Sequence, residues 1–297
     1  MKIAVSGATG YIGLHLINKL LENDNQILAI TRKNTEKLSS FCKKYEGKIS
    51  VCEIVSDDLF LAVEDFKPDC IYSTTCCYET DSKFLERTVD SNYTFPSALL
   101  KTAIHSGTLT GKPVRFINIG TSLPSSLNLY SLTKKQFSDL GCFFANLGKI
   151  QFLNVLLESF YGSDEPENRF IPRTIRKLLN NEVIDATEGT QHRDYVSAED
   201  VISILSFLTT VNISESFISI PVGSGESPSI REILKYLKLI TNSKSKINFG
   251  TVPSRPNEPS TRANLTILRN LGYKKEMTYW KDGMKKMMEN IENENID

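Results

Sequence analysis

The sequence has no surplus of either charge: Lys plus Arg and Asp plus Glu number 35 each. A neutral chain projects no global field toward nucleic acid or an anionic membrane surface, so any anion must be held by a locally built site. Long apolar runs are missing too, and no stretch reaches the roughly 20 residues that cross a bilayer. The six cysteines, Cys42, Cys52, Cys70, Cys76, Cys77 and Cys142, show no paired C-x-x-C spacing. They sit mostly inside apolar runs, which points to buried free thiols in a reducing cytoplasm rather than to disulfides or zinc. No leader peptide and no metal site are expected, since Lys2-Ile3-Ala4-Val5-Ser6 runs straight into glycine. Internal repeats are absent, and the one low-complexity tract is a polar tail from Glu289 that is expected to fray. What remains is a chain of 297 residues, 40% hydrophobic, that can bury a large core in one domain or two joined ones and whose expected partner is a small molecule.

Short β-type runs alternate with helix-length amphipathic segments through the first half. Residues 2–6, 26–31, 50–55, 70–74 and 114–119 read as strands, and 12–21 and 95–104 as helices. This alternation predicts βαβ units in an α/β, doubly wound parallel sheet of the Rossmann type, whose ligands bind beyond the carboxyl ends of the strands. After Gly162 an acidic turn, Ser163-Asp164-Glu165-Pro166-Glu167, leads into scattered helices with short strand-like runs. The expected division is a Rossmann domain at 1–162 and a smaller α/β part at 163–297 that is mainly substrate-binding. The two are interleaved, because 187–222 returns to the first through a strand at 216–222. Three prolines among the seven residues 253–259 make that stretch a loop.

Gly7-Ala8-Thr9-Gly10-Tyr11-Ile12-Gly13 follows the first strand and opens a helix. Glycines there permit a tight turn and let backbone amides approach a pyrophosphate at the helix N-terminus. Gly7, Gly10 and Gly13, with Thr9, Tyr11 and Ile12 among them, are therefore cofactor-binding candidates. After the second strand an NAD-selective site carries a carboxylate for the ribose 2′-hydroxyl, whereas this chain has Thr31-Arg32-Lys33. A guanidinium attracts a 2′-phosphate, so NADP(H) is expected over NAD(H), with ordinary solvated charges as the alternative.

Tyr130-Ser131-Leu132-Thr133-Lys134 places a phenol and an ammonium one helical turn apart. A cationic Lys134 would lower the pKa of Tyr130, which otherwise ionises near about 10, and could hold the nicotinamide ribose. Just upstream, Arg115–Ile119 ends in Gly120-Thr121-Ser122, so a hydroxyl at a strand's carboxyl end can bind a carbonyl or alcohol oxygen while Tyr130 exchanges its proton.

With these pieces the sequence resembles the extended short-chain dehydrogenase/reductase family of nucleotide-sugar epimerases, dehydratases and ketoreductases. The resemblance covers nearly the whole chain and includes the glycine loop, Asp58-Leu59, Pro68-Asp69, Asn92, the Thr121, Tyr130 and Lys134 set, and Tyr161-Gly162. It implies that Asp58 and Leu59 contact adenine, that Thr75 and Cys76 line the cofactor channel where relatives usually have alanines, and that Asn92 belongs to the same site. Glu167-Asn168-Arg169-Phe170-Ile171-Pro172 is similar to the segment whose Asn holds the substrate diphosphate. Gly189-Thr190-Gln191-His192-Arg193-Asp194-Tyr195 resembles the family's G-x-x-x-RDY run, which implies that Arg193 pairs with that diphosphate, and Arg255-Pro256-Asn257-Glu258 resembles the later arginine loop. A bidentate guanidinium suits a diphosphate.

Hydride transfer is common to this family, so the reaction class depends on the surroundings. Dehydratases follow the catalytic Thr with an Asp-Glu pair, but Ser122-Leu123 follows Thr121 here, which leaves epimerases and reductases. Exchangeable NADPH, suggested by Arg32, favours a reductase. The overall pattern is most similar to the branch of CDP-abequose and CDP-paratose synthases and dTDP-sugar 4-ketoreductases, which reduce a C4 ketone on a nucleotide-linked deoxysugar for surface polysaccharide such as O-antigen lipopolysaccharide. The expected partner is thus a CDP- or dTDP-linked 4-keto-deoxysugar, met by a cytoplasmic homodimer that forms through helices at 95–104 and 132–147. An epimerase with tightly held NAD and a non-enzymatic NADP(H)-sensing regulator are the alternatives. Only eight residues separate Thr121 from Tyr130, so the loop over the sugar is short, and Ser122, a substrate-contact candidate, or Ser125 could replace Thr121.

Overall fold

The computed structural model describes residues 1–79, 81–255 and 257–294. Seven strands form the main sheet: β1 (Lys2–Ser6), β2 (Gln26–Thr31), β3 (Ile49–Glu53), β4 (Cys70–Ser73), β5 (Arg115–Ile119), β6 (Gln151–Leu157) and β10 (Phe217–Val222). Val5, Ala29, Ile71, Phe116 and Val155 along them are wholly buried. Near-continuous apolar runs of this kind are what a sheet covered on both faces requires. The strand order is β10-β6-β5-β4-β1-β2-β3. Registers such as Ile3↔Ile27 and Ile3↔Cys70 are parallel. At the β10 edge Phe152 N donates to Ser216 O and Glu158 N to Val222 O, which advance in the same direction. The expected doubly wound sheet is thus present, and its order reverses between β1 and β4, where such folds open a crevice.

Local chemistry sets the helix starts in this part. After α1 (Tyr11–Glu22) comes α2 (Glu36–Lys44), capped by Thr35, whose hydroxyl accepts from Leu38 N. α3 (Leu59–Phe66) begins where the Asp58 carboxylate accepts from Phe60 N and Leu61 N. α4 (Leu85–Val89) continues through a π-type turn at Asp90–Thr94 into α5 (Phe95–Thr110). The sequence placed only 95–104 in helix; the extra turns end at Gly111, whose φ of 70° supplies a left-handed stop. α6 (Leu129–Asn146) starts at a reciprocal cap in which Ser131 N donates to Asn128 Oδ1 and Asn128 N to Ser131 Oγ. Phe137 of α6 packs on Phe116 and Phe152, with ring centroids 6.0 and 5.8 Å away.

The chain divides into two compact units, the first being Met1–Leu157 with Ile204–Ile220 and the second Glu158–Ser203 with the chain from Pro221. The returning segment is therefore narrower than the expected 187–222. The reason is that β9 (Tyr195–Ser197) pairs with β7 (Ser159–Tyr161) inside the second unit, and the unit boundary falls within α8 (Ala198–Thr210). That unit also holds the parallel pair β8 (Ile184–Ala186) and β11 (Ile247–Phe249), together with α7 (Phe170–Leu179), α9 (Ile230–Ile240), α10 (Thr266–Asn270) and α11 (Trp280–Glu294). Ile171, Ile175, Leu178, Ile233, Leu237, Trp280 and Met284 form its core. The tail from Glu289 does not fray at its start, because Met287, Met288 and Ile291 are buried in this core and carry α11 on to Glu294. Its last three residues lie outside the described ones, as does Pro256 of the later arginine loop.

All six cysteines are unbridged; Cys52, Cys70 and Cys77 are buried and the other three partly so. Burial pushes the Cys70 thiol up to about 12. Among the described residues no helix is long and apolar enough to cross a membrane.

Candidate functional site

In the first unit the carboxyl ends of β1, β4 and β5 and the start of α6 carry most of the candidate residues. Gly7 leaves β1 with φ of +69°, a conformation that suits glycine, and a side chain there would crowd Thr74 Oγ1 at 2.8 Å and Thr75 N at 3.0 Å. A Cβ on Gly13 would overlap the Gly7 carbonyl, so the loop folds tightly onto α1. Gly10 is the N-cap of α1 and no side chain caps the helix. This leaves a backbone cradle at a helix N-terminus, which fits the diphosphate of a dinucleotide. Thr9 Oγ1 lies 3.2 Å from Thr31 Oγ1 and ties the loop to the end of β2. Arg32 and Lys33 follow, both exposed and, among the described residues, without an ion-pair partner. Asp58 is exposed and its carboxylate serves as the α3 cap, while Leu59 packs on the core.

Beyond β4, Thr74 Oγ1 donates to Ser6 O at 2.7 Å and Thr75 Oγ1 to Ser6 Oγ at 3.3 Å, so this segment is stitched to β1. Thr75 and Cys76 are half-buried. The Lys134 ammonium, 3% exposed, donates to Thr75 O and Ile119 O, each at 3.0 Å. It thereby joins the ends of β4 and β5 to α6. Burial lowers its pKa, opposed by the nearby Cys76 thiol. An ammonium has three donors, and two are committed here. Tyr130, one turn earlier, is 7% exposed, and its ring lies 4.9 Å from that of Tyr78. Thr121 stands two residues beyond Ile119 and its hydroxyl accepts from Leu123 N at 3.2 Å; Ser122 N donates to Leu157 O. Lys134 and Tyr130 thus lie on α6 where it meets the end of β5, two residues before Thr121.

Asn92, expected at the cofactor site, is held by the protein's own groups. It is wholly buried, accepts from Cys77 N and donates to Cys77 O, both at 2.9 Å, and its amide also reaches Thr133 Oγ1 at 3.2 Å. Its polar atoms are committed to fastening the segment after β4 onto α6.

In the second unit Arg193, the expected diphosphate contact, is paired within the protein. It is 8% exposed, Nη2 donates to Glu258 Oε1 at 2.6 Å, and Nη1 donates to the carbonyls of Pro259 and His192. Its charge is already neutralised. The neighbouring Asp194 is structural: its carboxylate collects Ser224 N, Ser224 Oγ, Gly225 N and Ala263 N within 3.0 Å. Asn168 and Arg255 are exposed. Beside Asn168, Arg169 Nε lies 3.4 Å from Glu165 Oε1. The contacts of Glu165, Glu258 and Tyr78 have no local signal in the sequence, because each is made only by folding. Among the described residues no cluster of His, Cys, Asp and Glu suited to a metal ion occurs.

The model of the NAD dependent epimerase/dehydratase family matches residues 3–216. CDP-abequose synthase of Salmonella typhimurium is 27% identical, over 97% of this chain and 98% of its own. UDP-glucose 4-epimerase of Lactobacillus helveticus is 25% identical, with 92% of each chain covered. Among solved structures, UDP-glucuronic acid 4-epimerase from Bacillus cereus, in complex with UDP-glucuronic acid and NAD, superposes with a TM-score of 0.85 at 23% identity, covering 99% of each chain. That likeness shows the shared fold.

Glu165 yields a test of this part of the structure. Burial pushes its carboxyl from 4.5 up to about 7, against the lowering effect of Arg169, and Oε2 is buried without a hydrogen-bond partner. Below pH 4.5 the group is protonated folded or unfolded and contributes nothing. Between 4.5 and 7 the unfolded chain ionises first, so the folded state loses stability, on the order of 1–3 kcal/mol in full above pH 7. Glu165→Gln should therefore melt higher than the unmodified protein at pH 8, with the gap closing toward pH 5. Thermal melts showing a constant gap would refute this.

Proposed function

Since the chain belongs to the NAD dependent epimerase/dehydratase family, we propose that it is an NADPH-dependent reductase acting on the C4 ketone of a nucleotide-linked 4-keto-deoxysugar. The observation that carries this reading is the convergence of Tyr130 and Lys134, on the first turns of α6, with the carboxyl ends of β4 and β5. The glycine cradle at Gly7, Gly10 and Gly13 would hold the dinucleotide diphosphate, and Arg32 the 2′-phosphate. Relatives named CDP-abequose synthases support a nucleotide-linked deoxysugar. The lack of a carboxylate pair after Thr121 speaks against dehydration.

When bound, NADPH supplies the hydride that reduces the ketone. Tyr130 Oη gives its proton to the oxygen at C4 as negative charge builds there, and Thr121 Oγ1 donates a hydrogen bond to the same oxygen. The Lys134 ammonium favours the phenolate left on Tyr130, and its third donor is available for the nicotinamide ribose. Solvent returns the proton to Tyr130. Ser122, Asn168, Arg193 and Arg255 are the substrate-contact residues in this reading. The diphosphate must take the place of the Glu258 carboxylate on Arg193. Exposed Leu109, Leu132 and Phe143 on α5 and α6, with Leu147 just past the end of α6, support a homodimer, and the proposed function implies a cytoplasmic protein in deoxysugar synthesis for surface polysaccharide.

A panel of CDP-, dTDP-, UDP- and GDP-linked 4-keto-6-deoxysugars with NADPH tests the reaction. One NADPH should be oxidised per keto sugar lost, and Tyr130→Phe should cut turnover by about 10²–10⁴ with NADPH still bound. Interconversion of sugars without net oxidation would point to an epimerase instead.

Cofactor choice is checked separately. Arg32→Ala should raise the Michaelis constant for NADPH several-fold and leave that for NADH nearly unchanged. Equal use of both cofactors by the unmodified protein would end the argument for NADP(H).

Substrate affinity should respond in opposite directions at the paired charges. Arg193→Ala should weaken binding of the nucleotide sugar by calorimetry, while Glu258→Gln, which removes the competing carboxylate, should tighten it by on the order of ten-fold, about 1.4 kcal/mol. Equal effects of the two substitutions in one direction would contradict the exchange.

A further inference from the structure

We propose that Tyr78 is a positioning residue for the Tyr130 phenol, set in place by the Asn92 side chain. The inference rests on Tyr130 being the proton donor.

Asn92 is wholly buried in the π-type turn at Asp90–Thr94, and its side chain forms two hydrogen bonds of 2.9 Å with the backbone N–H and C=O of Cys77. A side-chain amide that takes both the N–H and the C=O of one residue fixes the peptides on either side of it much as a neighbouring strand would. The same amide reaches Thr133 on α6, and Thr133 Oγ1 in turn donates to the Tyr130 carbonyl at 3.0 Å. One side chain therefore ties the residue before Tyr78 to the turn of helix that carries Tyr130. π-type turns cost regular helix hydrogen bonding and often mark functional positions.

The consequence is the ring contact. Tyr78 is 47% exposed, and its ring packs on Tyr130 at 4.9 Å between centroids with 34° between planes. A large aromatic residue half in solvent is not there to fill the core. Offset aromatic pairs of this separation are attractive and directional. Here the pair covers one face of the Tyr130 ring, restricts its rotation and keeps water from it, while Lys134 holds the helix below. Ring, not hydroxyl, does this, so Phe should replace Tyr78 and Ala should not.

The experiment compares Tyr78→Phe, Tyr78→Ala, Tyr130→Phe and the double variant Tyr78→Ala with Tyr130→Phe in the full chain. With NADPH and the best sugar nucleotide of the panel, Tyr78→Phe should keep kcat within about two-fold. Tyr78→Ala should lose about ten-fold or more in kcat, with the NADPH Michaelis constant and the melting temperature little changed. Because Tyr78 acts through Tyr130, its loss should cost nothing further once the Tyr130 hydroxyl is gone. A kcat for Tyr78→Ala equal to the unmodified protein, failure of Phe to rescue, or a full additional loss in the double variant would overturn the proposal. A second readout stands apart from turnover: nitration of Tyr130 by tetranitromethane, followed by peptide mass spectrometry, should be several-fold faster in Tyr78→Ala than in Tyr78→Phe. Equal nitration rates would also overturn it. If the unmodified protein reduces no sugar nucleotide, the reductase reading fails, and the nitration comparison still decides whether Tyr78 shields Tyr130.

Discussion

The first unit depends on one buried charge. The Lys134 ammonium sits almost out of water and can do so only because the carbonyls of Thr75 and Ile119 receive it. Burial of an unpaired ammonium costs several kcal/mol, so the ends of β4 and β5 must present those carbonyls at the spacing the lysine requires. That demand fixes the start of α6 against the sheet, and the Asn128 and Ser131 cap fixes which residue begins it. Tyr130 then has little choice of place. Phe137, seven positions on, is locked in the stack with Phe116 and Phe152, so the helix cannot slide without breaking both polar and apolar contacts.

This arrangement explains why so much was legible from sequence in the first half. The glycine loop and the Tyr130 to Lys134 spacing are short-range patterns, each decided by backbone conformation or by a single helical turn. Strand cores such as Ile3, Ala4 and Val5 announce themselves because a sheet buried on both faces needs unbroken apolar runs. The less legible features all join distant residues. Asn92 matches the family's cofactor site by resemblance, but its bonds to Cys77 and Thr133 link segments far apart in sequence. The extent of the returning segment depends on β7 pairing with β9, and α11 persists because Met287 and Ile291 find a core that no local rule supplies.

The second unit shows the same limit in its charges. Adjacent residues Arg193 and Asp194 look like one motif but face separate tasks. Asp194 takes backbone amides from the segments at 224–225 and 263 and so holds two loops together from within. Arg193 instead meets Glu258 and the Pro259 carbonyl, which lie on the proline-rich loop. Spacing alone cannot separate a carboxylate that organises loops from a guanidinium that pairs with a carboxylate more than sixty residues on.

The Arg193 and Glu258 pair also bears on how a chain of zero net charge could take up a strongly anionic ligand. A buried arginine without a counter-ion would destabilise the free protein, so the carboxylate keeps the site intact before any ligand arrives. Under the proposed function a diphosphate would bring more charge and more acceptor oxygens than Glu258 offers, and would gain only the difference between the two pairings. Affinity set by such a difference is smaller than the direct attraction implies, because each ligand must first release a carboxylate to solvent. Under the same proposal the exchange would favour release of product as much as capture of substrate, since the tethered carboxylate would return as soon as the diphosphate left.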